Sequence, residues 1–473
     1  MSDAANRPHT TLRAHHLPNL REYVKDGIRL HWDESTGYTL AFAKAHDAVL
    51  ASIVGDPEGM VRLAAGPDDI CNCGVCPNVK PRCSSPELAE TDRQAAARFG
   101  LVADKEYRAK DLIAAAVQPV LCLSEVGLKN GEKMVVKMVT PPAGEYADKL
   151  LHFFEHKRDV TFRNIRQRLR GDYTTYCIDR YFVGEIGGRI AGQVWYGYSN
   201  SGTGVANFGE VYTEPEHRNK GVLTELMKVF AQNFTNSPAR AALCTAGAGQ
   251  AAATYCKFGF QPVIAGADRG PHILVKQRIA ANFSEFERAY YTPGQEISVS
   301  IGSMKHRHDI DTLLRFSTIL RRGAEHGDPL KYSSASGASL AMRVGMATHV
   351  ANYMDACFQA EDGRGMVTVA ATGKGNVVGW SFFLNTGSEM EQQSKVFDFE
   401  LHPTYAGSAS TLIKESLRLA RENGVKRACS FCLSADAEKI ALLRAAGFRE
   451  AAKLPNHCQV DGRTCDLVVL CCE

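Results

Sequence analysis

The chain has 473 residues, is 45% hydrophobic and 23% charged, and carries a formal net charge of +3. At roughly 150 residues per domain, this length predicts about three domains. The charge argues neither for nor against a nucleic-acid partner, and no nucleic-acid-binding element is evident. No apolar run approaches the roughly 18 residues that cross a membrane, so no membrane partner is expected. The opening residues, Met1–His16, lack the apolar core of a secretory signal, which predicts a cytoplasmic protein. In that reducing compartment, clusters among the fifteen cysteines read as metal sites before they read as disulfides.

Residues 1–130 hold the densest such cluster: Cys71, Cys73, Cys76 and Cys83, set among Pro, Asp, Asn and Gly. Thiolates this close in sequence can meet one ion or cluster with little chain to order. An iron–sulfur cluster and a zinc ion both fit four thiolates. His15 and His16 are further nitrogen donors. Apolar periodicity predicts helices at Tyr38–Val54, Glu87–Phe99 and Tyr107–Leu123, hence a small, mainly helical domain around a metal loop. The run Leu12–Pro18, the segment Gly66–Cys71 and the pair Cys76-Pro77 resemble the DUF1284 family over roughly residues 11–125. That resemblance implies a metal centre of iron–sulfur type and leaves its task open. The additional Cys73 departs from the simplest family pattern.

Residues 131–285 begin with a strand at Lys133–Thr140 and a basic helical stretch at Asp148–Arg170. Tyr181–Tyr196 reads as two strands joined at Gly187-Gly188. Glu210–Met227 is the organising stretch. A strand ends at Pro215, which has no N–H to pair. A basic turn, His217-Arg218-Asn219-Lys220-Gly221, follows. Val222, Leu223, Leu226, Met227 and Phe230 then recur at helical spacing. Such a turn aims free backbone N–H groups and the positive end of a helix dipole at one spot, which suits a phosphate. A strand at Ala241–Thr245, a helix at Gln250–Lys257 closed by Phe258-Gly259-Phe260, and a strand at Ile273–Lys276 complete the stretch.

This order resembles the GCN5-related N-acetyltransferase (GNAT) family. The family motif R/Q-x-x-G-x-G/A falls on Arg218, Asn219, Lys220, Gly221, Val222 and Leu223, with Leu223 a departure at the last small position. The family's Tyr-x-x-x-Gly-Phe element falls on Tyr255–Phe260. The resemblance implies that residues 218–223 hold the pyrophosphate of acetyl-CoA or another acyl-CoA. It implies that Tyr255 is the acid protonating the departing thiolate, and that Glu210 is a candidate base. Tyr212 and His217 are weaker candidates for the base, and Cys256 adjoins the acid.

Residues 290–473 repeat the same succession. Strands are predicted at Glu296–Ile301, Gly365–Ala371, Val377–Leu384, Val396–Leu401, Arg427–Leu433 and Cys465–Cys471. Helices are predicted at Ile310–Arg321, Thr411–Glu422 and Ala437–Ala446. The repeat implies an internal duplication, and it looks like a second, degenerate GNAT copy. Ala406 stands where the basic residue of the turn is expected, and Leu443 where the tyrosine is. Cys429 and Cys432, three apart on a strand, face opposite sides, so they read as small buried apolar residues, not as a second metal site.

The resulting expectation is an α/β chain with two GNAT-like mixed-sheet domains behind a cysteine-rich metal domain. Its function would be acyl-CoA-dependent transfer to the amine of a small molecule, with an accessory iron–sulfur or zinc centre. Two alternatives stand beside it. One is a metalloenzyme whose cysteine-bound cluster does the chemistry while the GNAT domains bind the substrate. The other is a non-enzymatic metal-dependent sensor or scaffold.

Overall fold

The computed structural model describes residues 10–25, 40–65, 86–99, 101–157, 159–199, 204–237, 239–246, 250–262, 272–277, 283–314, 353–385, 394–460 and 463–473. Cys71, Cys73, Cys76 and Cys83 lie outside these residues. Among the described residues no three His, Cys, Asp or Glu side chains are grouped to hold a metal. No described helix is long and apolar enough to cross a membrane.

The N-terminal segment runs β1 (Thr10–Arg13), α1 (Leu17–Lys25), α2 (Leu40–Gly55), β2 (Met60–Ala64), α3 (Pro86–Arg98), β3 (Lys105–Arg108) and α4 (Ala109–Ala116). Its three strands form a sheet of order β1-β2-β3, parallel between β1 and β2 and antiparallel between β2 and β3. The sequence does not predict this small sheet, which stands beside four helices that hold most of the described residues of this segment. The helix expected over Tyr107–Leu123 begins later and ends at Ala116. Pro119 has no N–H for a helical bond and disfavours helix at the residue before it, so the apolar run continues as a strand. Leu12, Leu63 and Leu112 are fully buried. Beside them Arg13 meets Asp92 at 2.6 Å, both side chains excluded from solvent.

The second segment contains β4 (Val120–Gly127), β5 (Lys133–Val139), α5 (Tyr146–Phe153), α6 (Asp159–Arg170), β6 (Cys177–Ile186), β7 (Arg189–Ser199), β8 (Val205–Thr213), α7 (Val222–Asn236), β9 (Ala241–Ala246), α8 (Gln250–Cys256), β10 (Phe260–Pro262) and β11 (His272–Gln277). These strands form an eight-stranded sheet of order β10-β11-β9-β8-β7-β6-β5-β4. β4 pairs antiparallel with β5, so the sheet begins at Val120, ahead of a boundary at residue 130. The single helix expected over Asp148–Arg170 is two helices. β8 and β9 run parallel, paired only from Val205 to Asn207 against Ala241 to Leu243.

The third segment contains α9 (Phe283–Tyr290), β12 (Ile297–Ile301), a helical stretch at 307–314, α10 (Tyr353–Glu361), β13 (Met366–Thr372), β14 (Val377–Leu384), β15 (Ser394–Leu401), α11 (Ala409–Glu422), β16 (Arg427–Leu433), α12 (Ala437–Ala445), β17 (Arg449–Val460) and β18 (Arg463–Cys472). Its sheet order is β12-β13-β14-β15-β16-β18-β17, with the parallel pair at β15 and β16. Apart from β4, this is the order of the preceding sheet, with the parallel pair in the same place.

The chain clusters into two compact units. One comprises residues 1–155, 166–195 and 210–232, the other 156–165, 196–209 and 233–473, with β7 and β8 contributing to both. The two sheets also share atomic detail. In the second segment the Glu214 N–H donates to the Ala191 carbonyl (2.9 Å), and in the third the His402 N–H donates to the Val378 carbonyl (2.8 Å). Gly192 and Gly379 follow those carbonyls. At Gly192 a side chain would collide with Val222 Cγ1 of the helix that follows the turn, at 2.8 Å, so glycine lets the strand lie directly under that helix. At Gly379 it would collide with Leu401 Cδ1 on the paired strand, and Leu412 Cδ2 of the following helix would be 3.3 Å away. Gly192→Val should therefore destabilise the fold by about 1–3 kcal/mol through overpacking. Urea denaturation would check this, and Gly373→Ala, with open space around it, is the control expected to be near neutral.

Candidate active site

The first unit contains the phosphate-type turn. After β8, residues Pro215–His217 make one turn of 3-10 helix, with Pro215 at its start, where a missing N–H costs nothing. Arg218 is extended, and Asn219 and Gly221 then adopt left-handed backbone, with φ of +64° and +99°. Alternation of this kind turns successive N–H groups to one side and makes a concavity suited to an anion. α7 starts immediately after it. Val222 is 1% exposed, and Leu226, Met227 and Phe230 are fully buried, so the apolar stripe read from the sequence anchors the helix whose N-terminus closes the turn.

Charges around the turn are arranged by its neighbours. Arg218 is exposed; its Nε donates to the Thr213 carbonyl (3.1 Å) and its guanidinium lies 5.7 Å from the Tyr212 ring centroid. Lys220 Nζ meets Glu132 at 3.2 Å, and the Lys220 carbonyl accepts from the Lys129 N–H at 3.1 Å. Hydrogen bonds from Asn130 and Lys220 hold the Glu132 carboxyl below its usual range. Thus the β4–β5 loop, which the sequence did not connect with this turn, braces it. Lys129 Cγ is 3.7 Å from where a Gly221 side chain would begin, so backbone conformation and not crowding requires glycine there.

Glu210 lies on β8 with φ of +53°, a left-handed residue within a strand. For a residue other than glycine this costs about 1–2 kcal/mol. The surroundings over-determine it. Gln193 Nε2 donates to its carbonyl, and its carboxylate meets Arg168 Nη2 at 3.3 Å. Arg168 is itself fully buried, with its guanidinium 4.0 Å from the Trp195 ring centroid and 3.9 Å from Asp179. Trp195 Nε1 donates to Asp179 at 3.0 Å. None of Arg168, Asp179, Gln193 and Trp195 was singled out from the sequence. The arginine was legible only as part of a basic helix surface, and it is in fact buried. Glu210 is therefore not the solitary carboxylate a general base would ideally be, because one oxygen is committed to a guanidinium.

The third segment lacks both features. Val205 and Ser394 each open a parallel pair, and Pro215 and Pro403 each follow the strand. Ten positions separate the first two and nine the second. The extra position in β8 accompanies left-handed Glu210. β15 has no left-handed residue. Pro403–Ser408 is a continuous 3-10 helix running into α11, with neither left-handed residue nor basic side chain.

In the second unit, Tyr255 is on α8 and 6% exposed. Its ring lies against Phe208 and Phe260, with centroids 5.3 Å and 5.8 Å away. Burial first, and the nearby Cys244 second, push its phenol well above the ordinary value, so it is protonated at any ordinary pH. Cys256, next in sequence, is exposed. In the N-terminal domain His16 is buried edge-on against His46, with ring centroids 5.3 Å apart, and the Asn19 amide lies between them, 3.4 Å from His16 Nδ1 and 2.9 Å from His46 Nε2.

Comparison with known families places two domains on the chain. Residues 178–262 match the acetyltransferase (GNAT) domain, and residues 37–124 match a protein family of unknown function, DUF1284. Among solved structures the chain is similar to a ribosomal-protein-alanine N-acetyltransferase from Brucella melitensis (22% identity, 37% of this chain and 98% of that one, TM-score 0.27). It is also similar to an acetyltransferase of the GNAT family from Streptococcus pneumoniae (14%, 37% and 98%, TM-score 0.28). A third is a spermidine N-acetyltransferase chimera from Vibrio cholerae (13%, 37% and 94%, TM-score 0.27). No curated protein matches the chain.

Proposed function

We propose that this chain, which carries a GNAT acetyltransferase domain over residues 178–262, transfers an acyl group from acetyl-CoA or a related acyl-CoA to the amine of a small molecule. The observation that carries the reading is the turn at 218–221, where two left-handed residues and a helix N-terminus converge ahead of α7. In this reading residues 218–223 bind the pyrophosphate through the backbone N–H groups of 219–223, the Arg218 N–H donating to the Pro215 carbonyl (3.3 Å), with Arg218 and Lys220 adding positive charge.

The acceptor amine attacks the thioester carbonyl, and the C–S bond breaks as the amide forms. Tyr255 gives its proton to the leaving thiolate. Because burial holds that proton firmly, the contribution of Tyr255 belongs near the low end of general acid catalysis. Tyr255→Phe should lower kcat by about 10²-fold and leave acyl-CoA affinity unchanged. The proton lost by the amine goes to a water held by Glu210, whose own carboxylate is occupied in part by Arg168. The straight β15 and the uninterrupted Pro403–Ser408 helix support a single acyl-CoA site, with the third segment as a degenerate copy of the second.

The test is a calorimetric titration with acetyl-CoA, paired with thiol release from acetyl-CoA in the presence of primary amines. Gly221→Val forces a branched side chain into left-handed backbone and should weaken acetyl-CoA binding about tenfold. Absence of binding by the unaltered chain would overturn the assignment.

The N-terminal domain supports a second centre. Four cysteines within 13 residues, inside the span matching DUF1284, are proposed to hold an iron–sulfur cluster or a zinc ion. Metal analysis and visible spectra of anaerobically purified protein would test it, with Cys76→Ser expected to abolish the signal.

A further inference from the structure

The cysteines of the third segment are not uniformly the buried apolar residues expected. Cys432 is fully buried, but Cys429 on β16 and Cys471 on β18 are each only half-buried. The antiparallel register sets Cys429 directly opposite Cys471. Directly opposed residues share one face of a sheet, and there the two thiols act on one another's proton affinity. On the other side of Cys471, β17 places Arg449 directly opposite it. Arg427, two residues before Cys429 and therefore on the same face, interacts electrostatically with both thiols. One sheet face thus carries a dithiol between two guanidiniums. A carboxylate, Glu473, also acts on Arg427, but less than either thiol does.

We propose that Cys429 and Cys471 form a redox-reactive dithiol that exchanges with anionic low-molecular-weight disulfides to give a cross-strand disulfide. Burial, and then Cys471, push the Cys429 thiol up to about 12. Arg427 acts on both thiols, and Cys471, which alone also faces Arg449 in the register, is the sulfur that attacks first. The Cys471 thiolate displaces one half of the incoming disulfide as a thiolate and forms a mixed disulfide. Cys429 then attacks the Cys471 sulfur, its proton leaving with the second small thiol. The protein loses two protons and two electrons, and the small disulfide takes them up to become two thiols. Directly opposed strand residues sit near the upper edge of the Cβ separation a disulfide tolerates, so the product is readily reduced again. The flanking guanidiniums select the reagent by charge, because carboxylate-bearing disulfides are attracted and cationic ones repelled.

The full chain would be treated with glutathione disulfide or, separately, with cystamine, then digested and mapped by mass spectrometry. A Cys429–Cys471 linked peptide should form several-fold faster with glutathione disulfide. The advantage should shrink in high salt and in Arg427→Gln/Arg449→Gln. Cys429→Ser should stop at the mixed disulfide on Cys471. Adducts on exposed Cys122 and Cys256 forming as fast as the linked peptide would overturn the proposal. So would equal rates with the two reagents, or a Cys429→Ser chain that is modified at neither site.

Discussion

Replacing Arg168 with methionine should cost about 3–5 kcal/mol of folding stability, because it strips the partner from largely buried carboxylates. Arg168 is fully buried, and its guanidinium faces Glu210 at 3.3 Å, Asp179 at 3.9 Å and the Trp195 ring. A charge out of water is tolerated only while it is paired. Removing the arginine takes a guanidinium from Glu210, whose side chain is 15% exposed, and from Asp179, at 4%, which keeps the Trp195 Nε1 hydrogen bond. Denaturation in urea would read the loss. The double variant Arg168→Met/Glu210→Gln should recover part of it, since the amide needs no counter-charge. A loss below about 1 kcal/mol, the range of an exposed pair, would show that solvent reaches the site. The same experiment bears on Glu210 as a base. If the pair only positions the left-handed strand residue, Glu210→Gln keeps acyl-CoA affinity and most of the rate.

A loss of the same order is expected for Lys439→Met in the third segment. Lys439 Nζ and Asp398 Oδ1 are 2.6 Å apart and each side chain is 1% exposed. Desolvation alone would lower the lysine's proton affinity, but Asp398, with Cys432 and Asp436, outweighs it, so the ammonium is held above its ordinary range. A raised value means the stabilisation is complete below the unfolded value of about 10.4 and is lost as pH rises through the folded one. The unaltered chain should therefore keep this contribution across neutral pH and lose it only in strong alkali. Lys439→Met should lose about 3–5 kcal/mol at neutral pH, where Asp398 keeps the Phe399 N–H but loses the ammonium that balances its buried charge. Lys439→Met/Asp398→Leu should regain most of that, since a packed apolar pair often matches a buried ion pair. Denaturation midpoints at neutral and alkaline pH would show both effects.

The two predictions come from residues that sequence reading treated as ordinary. Arg168 belonged to a basic helix surface, and Lys439 to the helix predicted over Ala437–Ala446, where it was not singled out. Their burial follows from which strands lie beneath those helices, and periodicity within one helix cannot supply that. Local errors have local causes. Pro119 ended a helix that apolar spacing alone would have extended. β17 went unread because Arg449–Val460 carries no clean alternation and gains its strand character from pairing with β18.

The turn at 210–227 was the most legible part of the chain, because its signals are local. Proline stops the strand, glycine supplies the left-handed backbone, and apolar residues at helical spacing fix the helix that follows. The repeated order of strands and helices was also legible, since it is carried by patterning and not by individual motifs. Sequence alone could not reveal that the two sheets share one strand order with the parallel pair in the same place, that Gly192 admits the helix after its turn, or that β8 has one position more than β15. It also could not show that Glu210 is tied to a buried arginine, or that Cys429 lies opposite Cys471. Each of these is a meeting of residues far apart in the chain. Chain order determines which elements form, and only their packing determines which side chains leave water together.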